Sequence, residues 1–293
     1  LADVHTAVAL CRLAGESDHR VLLAAALAVA ALRRGSVCLE LNRFRETAVD
    51  IEGVDAELAE QLEWPESADL LAALQASPLV IGGPAGPLRP LTLVDSDAGW
   101  LLYLDRYFRQ EQLIRNTLDA RAATRPVVDT NLARAALDAL FIDVEDGPSP
   151  APDRQRVAAA VAATEWTTIV AGGPGTGKTH TAARILALLY TLYGPGLRVA
   201  LAAPTGKAAG ALTEAVARQG PDLGLPEGLT AKTLHRLLGL RRFGGRRSRY
   251  DATNRLPYDV VVVDETSMVS LTLMAQLLEA LPADARLILM GDP

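Results

Sequence analysis

The chain has 293 residues, 49% hydrophobic and 22% charged, the balance of a globular protein with ample material for a core. At roughly 100 to 200 residues per domain it should hold about two domains. Its longest apolar run, Val21 to Leu32, stops at Arg33-Arg34, far short of the roughly 20 residues needed to span a bilayer; no basic-then-apolar leader precedes it, so no membrane association is expected.

Cys11 and Cys38 are too few for a disulfide framework or a four-ligand zinc site, and a cytoplasmic location with free, buried thiols is expected. With 29 basic against 35 acidic residues the net charge is −6, so overall charge gives no support to a nucleic-acid partner. Three of the basic residues are lysines, Lys178, Lys207 and Lys232, and each falls inside a motif described below. The start at Leu1 and the stop at Gly291-Asp292-Pro293, directly after a strand-like run, are what a piece of a longer protein would show.

In chain order, residues 1–80 are rich in Ala and Leu with helical periodicity. Val21, Leu22, Ala25, Ala28, Val29 and Leu32 mark one helix face, and Ser17-Asp18 offers a cap before it. Short extended pieces are then predicted at Leu79-Val80-Ile81, Leu91 to Val94 and Trp100 to Leu104, separated by Gly82-Gly83-Pro84 and by Asp95 to Gly99, as in a small hairpin closing a first domain of residues 1–110. A helical stretch from Arg106 to Leu140 leads to Asp146-Gly147-Pro148-Ser149-Pro150-Ala151-Pro152. This proline-rich segment is the predicted boundary, which makes residues 111–152 a helical connection.

From Asp153 the pattern becomes strand, glycine loop, helix, strand, the signature of an α/β domain over residues 153–293. Strands are predicted at Thr167 to Ala171, Arg198 to Ala203, Val260 to Val263 and Arg286 to Met290, with helices at Thr181 to Tyr190 and Lys207 to Arg218. The four-valine run is what a parallel strand buried on both faces looks like.

The strongest chemical signal is Gly172-Gly173-Pro174-Gly175-Thr176-Gly177-Lys178-Thr179, followed by His180. It fills every fixed position of G-x-x-x-x-G-K-[ST] between a predicted strand and a predicted helix. Its glycines let successive N–H groups converge on phosphate oxygens, Lys178 would reach the β and γ phosphates of ATP, and the Thr179 hydroxyl would ligate Mg²⁺. A partner acidic site is expected at the end of a neighbouring strand, and Val260 to Val263 runs into Asp264-Glu265. Asp264 would hold Mg²⁺ and Glu265 would polarise the attacking water. Burying two acids after a four-valine strand is expensive unless a metal or proton is involved. Two weaker segments lie between these sites, Ala203 to Ala209 and Thr233 to Gly239. The first could take a polynucleotide phosphate through Thr205 and its N–H groups or be an ordinary helix cap; the second could be simply an amphipathic helix with His235 half buried.

With Gln155 upstream, G-G-P-G-T-G-K-T, A-P-T-G-K-A-A, T-L-H-R-L-L-G, V-V-V-D-E-T-S-M and L-I-L-M-G-D-P occur in the order of motifs I, Ia, Ib, II and III of superfamily 1 DNA helicases. In flavour the set resembles the RecD family, the alpha subunits of RecBCD-type helicase-nucleases (exodeoxyribonuclease V). The resemblance is dense over residues 151–293 and looser in Asp3-Val4-His5, Gly35 to Leu39 and Leu101 to Tyr107. It implies a P-loop, RecA-like parallel-sheet motor domain behind a mainly helical N-terminal domain that docks on a RecC-like subunit within a RecB- and RecC-containing bacterial complex. It also implies ATP-driven 5′ to 3′ movement on single-stranded DNA, with Gln155 at the adenine edge, and Thr205, Lys207, His235 and Arg236 at the DNA.

The resemblance places a second RecA-like domain and its arginine finger outside this sequence, so the segment alone should be nearly silent as an ATPase. Lys232, Arg236, Arg241, Arg242, Arg246, Arg247, Arg249 and Arg255 face a single acid, Asp251, between residues 232 and 255. This is a solvated loop or a local basic patch for DNA phosphates. Trp64, Trp100 and Trp166 read as core or partner-contact residues. A stand-alone helicase of the same type and a non-motor P-loop module remain the alternatives.

Overall fold

The N-terminal helices owe their packing to alanine. In the computed structural model, which describes residues 2–49, 62–82, 89–141, 153–173, 175–240 and 248–292, helices α1 (Ala2–Ala14) and α2 (His19–Arg33) approach through Ala7, Ala24, Ala25 and Ala28, all buried. Asp18 caps α2, its carboxylate accepting from the Arg20 N–H at 2.8 Å, which satisfies one of the helix's first donors. The buried face differs in part from the predicted one. Val21, Ala25 and Ala28 are inside, but Ala24, Leu27 and Ala31 complete the stripe, and Leu22, Val29 and Leu32 are half-buried at its margin.

Beside these helices stand α3 (Phe44–Val49) and α4 (Ser67–Ala76). A three-stranded antiparallel sheet joins them, in the order β1 (Leu39–Glu40), β3 (Gly99–Leu104), β2 (Leu91–Ser96). The predicted hairpin is β2–β3, with a third short strand added to it. Leu79-Val80-Ile81 is not extended. It lies in the short helix α5 (Pro78–Ile81), because the Ser77 hydroxyl accepts from the Leu79 N–H at 3.2 Å and Pro78 suits the first helical position. Leu39, Leu70, Leu74, Leu79, Leu91 and Leu102 are almost wholly buried in this core, each contributing about 1.5–3 kcal/mol.

The chain divides into two compact units, Leu1–Gln112 and Leu113–Pro293. The division falls inside helix α6 (Asp105–Ala122), not at the proline-rich segment, which lies outside the described residues together with Gly83-Pro84. Residues 113–140, read from the sequence as a connection, group with the second unit because Leu113, Ile114 and Leu118 pack on its core and Arg121 is buried there. The Arg121 guanidinium donates to Thr167 Oγ1 at 2.7 Å, to Trp166 O at 2.6 Å and to Ala285 O at 2.5 Å. Nor is 106–140 one helix. Pro126 forbids continuation, and α7 (Thr130–Leu140) starts afresh under an Asp129 cap.

The second unit is a five-stranded, fully parallel sheet in the order β4 (Thr167–Ala171), β8 (Arg286–Gly291), β7 (Val260–Val263), β5 (Val199–Ala203), β6 (Ala231–Thr233). Parallel pairing requires crossovers, here supplied by α9 (Lys178–Tyr193), α10 (Gly206–Leu223), α11 (Leu234–Leu237) and α12 (Leu271–Ala280), with α8 (Arg154–Thr164) preceding the first strand. The four valines of β7 alternate between two cores. Val260 and Val262 join Ile288 and Met290 on one face, and Val261 and Val263 join Leu287 and Leu289 on the other. A strand that must be apolar on both sides cannot alternate, which is why this run is unbroken.

Candidate nucleotide site

The carboxyl ends of β4, β8 and β7 are neighbours in this sheet order, and open parallel sheets bind ligands in the crevice outside such ends. After Ala171 the chain turns through residues 172–177 into α9. Gly175 and Gly177 have φ of 76° and 81°, values that a side chain resists. The turn is also tight: a Cβ on Gly172 would sit 2.7 Å from Thr176 Oγ1, and one on Gly177 would sit 2.8 Å from Gln155 Nε2. No side chain caps the start of α9, so its first N–H groups are available to an anion. Pro174 lies outside the described residues. Thr179 is half-buried in the first helical turn, and His180 is exposed.

The Lys178 side chain is drawn back over this turn. Its ammonium donates to Gly172 O at 2.5 Å, to Gly173 O at 3.0 Å and to Asp292 Oδ1 at 2.5 Å. Gln155 braces the same turn from α8, donating from Nε2 to Thr176 O at 3.4 Å and accepting from Arg184 at 3.3 Å. Gln155, Val157, Val161, Ile169 and Lys178 line a cleft of about 400 Å³ beside the turn.

At the end of β7, Asp264 is 8% exposed. Its N–H donates to Ala202 O, and its Oδ1 accepts from the Glu265 N–H, both at 2.9 Å. Burial raises its pKa above the ordinary carboxylate value, opposed by the Glu265 N–H and by Lys178. Glu265, at φ 53° and ψ 45°, is the one non-glycine residue with positive φ among the described residues. It opens the 3₁₀ turn Thr266–Met268. That turn is fastened to β8, because Thr266 Oγ1 donates to Met290 O at 2.9 Å. A Cβ on Gly291 would come within 2.6 Å of Thr266 Oγ1, so only glycine permits this approach.

Ala203 pairs with Thr233 between β5 and β6, so Thr205 and Lys207 follow one strand end while His235 and Arg236 follow its neighbour. Thr205 caps α10, its hydroxyl accepting from the Ala208 N–H at 3.2 Å, and Lys207, His235 and Arg236 are exposed. Of the basic segment, Lys232, Arg236, Arg249 and Arg255 are described; Arg241, Arg242, Arg246 and Arg247, with Gly244 and Gly245, lie outside the described residues. Arg249 packs its stem against Gly239, whose φ is 67° and whose added Cβ would meet Arg249 Cβ at 2.5 Å.

Sequence reasoning overlooked three contributors: Asp292 on Lys178, Thr266 fastening the turn after Glu265, and Arg184 holding Gln155. For Asp292 a signal existed, an acid directly after the strand that pairs with the P-loop strand. Among the described residues no cluster of three or more His, Cys, Asp or Glu could hold a metal. A divalent cation beside Thr179 and Asp264 would therefore complete its oxygen shell from phosphates and water. The cradle a Cβ would fill and the buried acid facing an ammonium fit a magnesium-bound nucleoside triphosphate.

Comparison with known proteins gives the chain its relatives. Residues 1–103 match the N-terminal domain of RecBCD enzyme subunit RecD, and residues 155–293 match an AAA domain. The RecBCD enzyme subunit RecD of Mycobacterium tuberculosis is 48% identical over all of this chain and 47% of its own length; that of Mycolicibacterium smegmatis is 48% identical over all of this chain and 49% of its own. The Haemophilus influenzae subunit is 32% identical over 92% of this chain and 44% of its own length. The chain thus spans about half the length of the curated relatives it matches. An ATP-dependent RecD2 DNA helicase of Deinococcus radiodurans is 43% identical, but over 42% of this chain. No helix among the described residues is long and apolar enough to cross a membrane. With both matched domains in order and 48% identity along its whole length, the chain resembles the first half of RecBCD enzyme subunit RecD from end to end.

Proposed function

We propose that this chain is the N-terminal half of an ATP-driven DNA translocase, a RecD subunit of a RecBCD-type helicase-nuclease that processes DNA ends in double-strand break repair. One observation carries the reading: the Lys178 turn, Asp264 with Glu265, and Asp292 meet at the carboxyl ends of three adjacent parallel strands. Gly172, Gly173, Gly175, Thr176 and Gly177 would wrap the phosphates, and Lys178 would contribute its positive charge to the β and γ oxygens. Thr179 and Asp264 would hold Mg²⁺, which would supply neutralisation of charge developing on the phosphates. Glu265 orients the attacking water and takes its proton. Gln155 meets the adenine edge, with His180 close by on α9.

Thr205, Lys207, His235 and Arg236 receive the backbone of a 5′-ended single strand, contacts that position the strand without reading sequence. The first unit docks on the RecC-like subunit, beside a RecB-like one, in a bacterial cytoplasm. In this reading the second RecA-like domain and its arginine finger belong to the other half of the full-length subunit. Such a finger is worth about 10³ to 10⁵ in rate, so the 293-residue chain alone should hydrolyse ATP very slowly. The subunit reading is preferred to a stand-alone helicase because the RecBCD-type relatives match along the whole chain, the stand-alone one over less than half. The test is ATP turnover by the full-length subunit with DNA present. Lys178→Gln should abolish it with the fold intact, since no neutral side chain replaces a point charge on the phosphates; wild-type turnover would refute the assignment.

A further inference from the structure

An ammonium has three N–H donors and no more, and Lys178 directs all three at protein oxygens, those of Gly172, Gly173 and Asp292. Its side chain is 13% exposed, so water competes little. A phosphate oxygen can be met by Lys178 only if one of these contacts is given up. The two carbonyls belong to the turn that wraps the phosphates, and the Gly172 N–H is itself tied to Gly291 O at 3.2 Å. Asp292 is the one charged partner of the three, and it is 42% exposed, free to turn outward.

Asp292 directly follows Gly291, against which the Thr266 turn is packed. Resting on the nucleotide site proposed above, we propose that Asp292 is a positioning residue that competes with the nucleotide's phosphates for the Lys178 ammonium, and so sets nucleotide affinity through Lys178. Each binding event trades the Lys178–Asp292 pair for a Lys178–phosphate pair. Release of the nucleotide restores the pair.

The test is a double-mutant cycle on nucleotide affinity in the full-length subunit, using a fluorescent ADP analogue in EDTA and again with Mg²⁺. Asp292→Asn is close to isosteric and removes the competing charge. It should tighten binding about 3- to 10-fold in EDTA, as expected when a charge-assisted contact becomes a neutral one. In the Lys178→Gln background the same substitution should change affinity less than twofold. Asp292→Glu, which keeps the charge, should bind close to wild type.

Two results would overturn the proposal. Unchanged or weakened binding of Asp292→Asn in EDTA would show that Asp292 does not compete. Equal tightening with and without Lys178 would show that Asp292 merely repels phosphate through space. A wild-type subunit that bound no nucleotide would instead remove the nucleotide site itself and the proposal with it.

Discussion

Glu265 pays a conformational cost for its position, and that cost can be separated from its chemistry. At φ 53° and ψ 45° its Cβ is in the left-handed region, which costs an L-residue roughly 1–2 kcal/mol. Glycine escapes this penalty but loses about 0.4–1 kcal/mol through the freer unfolded chain. Glu265→Ala keeps the Cβ and the strain; Glu265→Gly removes both. The glycine variant should therefore be more stable than the alanine variant by about 0.5–1 kcal/mol, the reverse of their order in a helix. For the unfolding of a domain of about 150–250 residues that is about 1–4 °C in melting temperature. Calorimetry of the full-length subunit would show this difference, and Glu265→Gln should melt with wild type because it keeps both backbone and shape. All three should lose turnover by about 10² to 10⁴ while still binding ATP·Mg²⁺. An alanine variant as stable as the glycine variant would place the strain elsewhere. A glutamine variant that lost nucleotide affinity as severely as turnover would make Glu265 a ligand-binding residue instead.

Two further outcomes follow from buried charge. Burial raises the Asp264 pKa above its ordinary value, so the folded chain takes up this proton at a higher pH than the unfolded chain; the ionised form costs stability near neutrality, and the cost disappears as pH falls through the raised pKa. In EDTA, Asp264→Asn should be more stable than wild type at pH 7, with a gain that shrinks toward pH 4, while Mg²⁺-dependent turnover is lost; a pH-independent gain would refute this. Arg121 is 6% exposed, and burial pushes its pKa down to about 10, leaving it charged at pH 7. Arg121→Met removes its charged hydrogen bonds to Thr167, Trp166 and Ala285 and should cost about 3 kcal/mol, or roughly 6–12 °C in melting temperature. A loss below 2 °C would mean that water replaces the guanidinium.

The geometry of the proposed phosphate turn was legible because its residue types answer backbone and packing demands. Gly175 and Gly177 take positive φ, and Asp264 follows a strand that is apolar on both faces. The crossovers of the parallel sheet were legible for the same reason, since Val260 to Val263 cannot be an amphipathic strand. What escaped was tertiary. Leu79 to Ile81 looks extended by composition, and a Ser77 cap with Pro78 at the first position makes it helical. The proline-rich segment reads as a boundary by composition, whereas a buried arginine and three apolar residues group the end of α6 with the second unit. Asp292 lies 114 residues from Lys178 along the chain, a separation that only the β4–β8 pairing closes. Thr205, half-buried as the cap of α10, and the exposed Lys207, His235 and Arg236 carry no comparable signal, and their place beside one another follows from strand register alone.

The proposed motor moves 5′ to 3′ on DNA, and its direction of travel tests it. The full-length subunit, purified alone, should unwind a duplex with a 5′ single-stranded tail when ATP and Mg²⁺ are present, fail on the same duplex with a 3′ tail, and lose all unwinding on Lys178→Gln. Unwinding that favoured the 3′-tailed substrate, or that persisted in Lys178→Gln, would contradict the account.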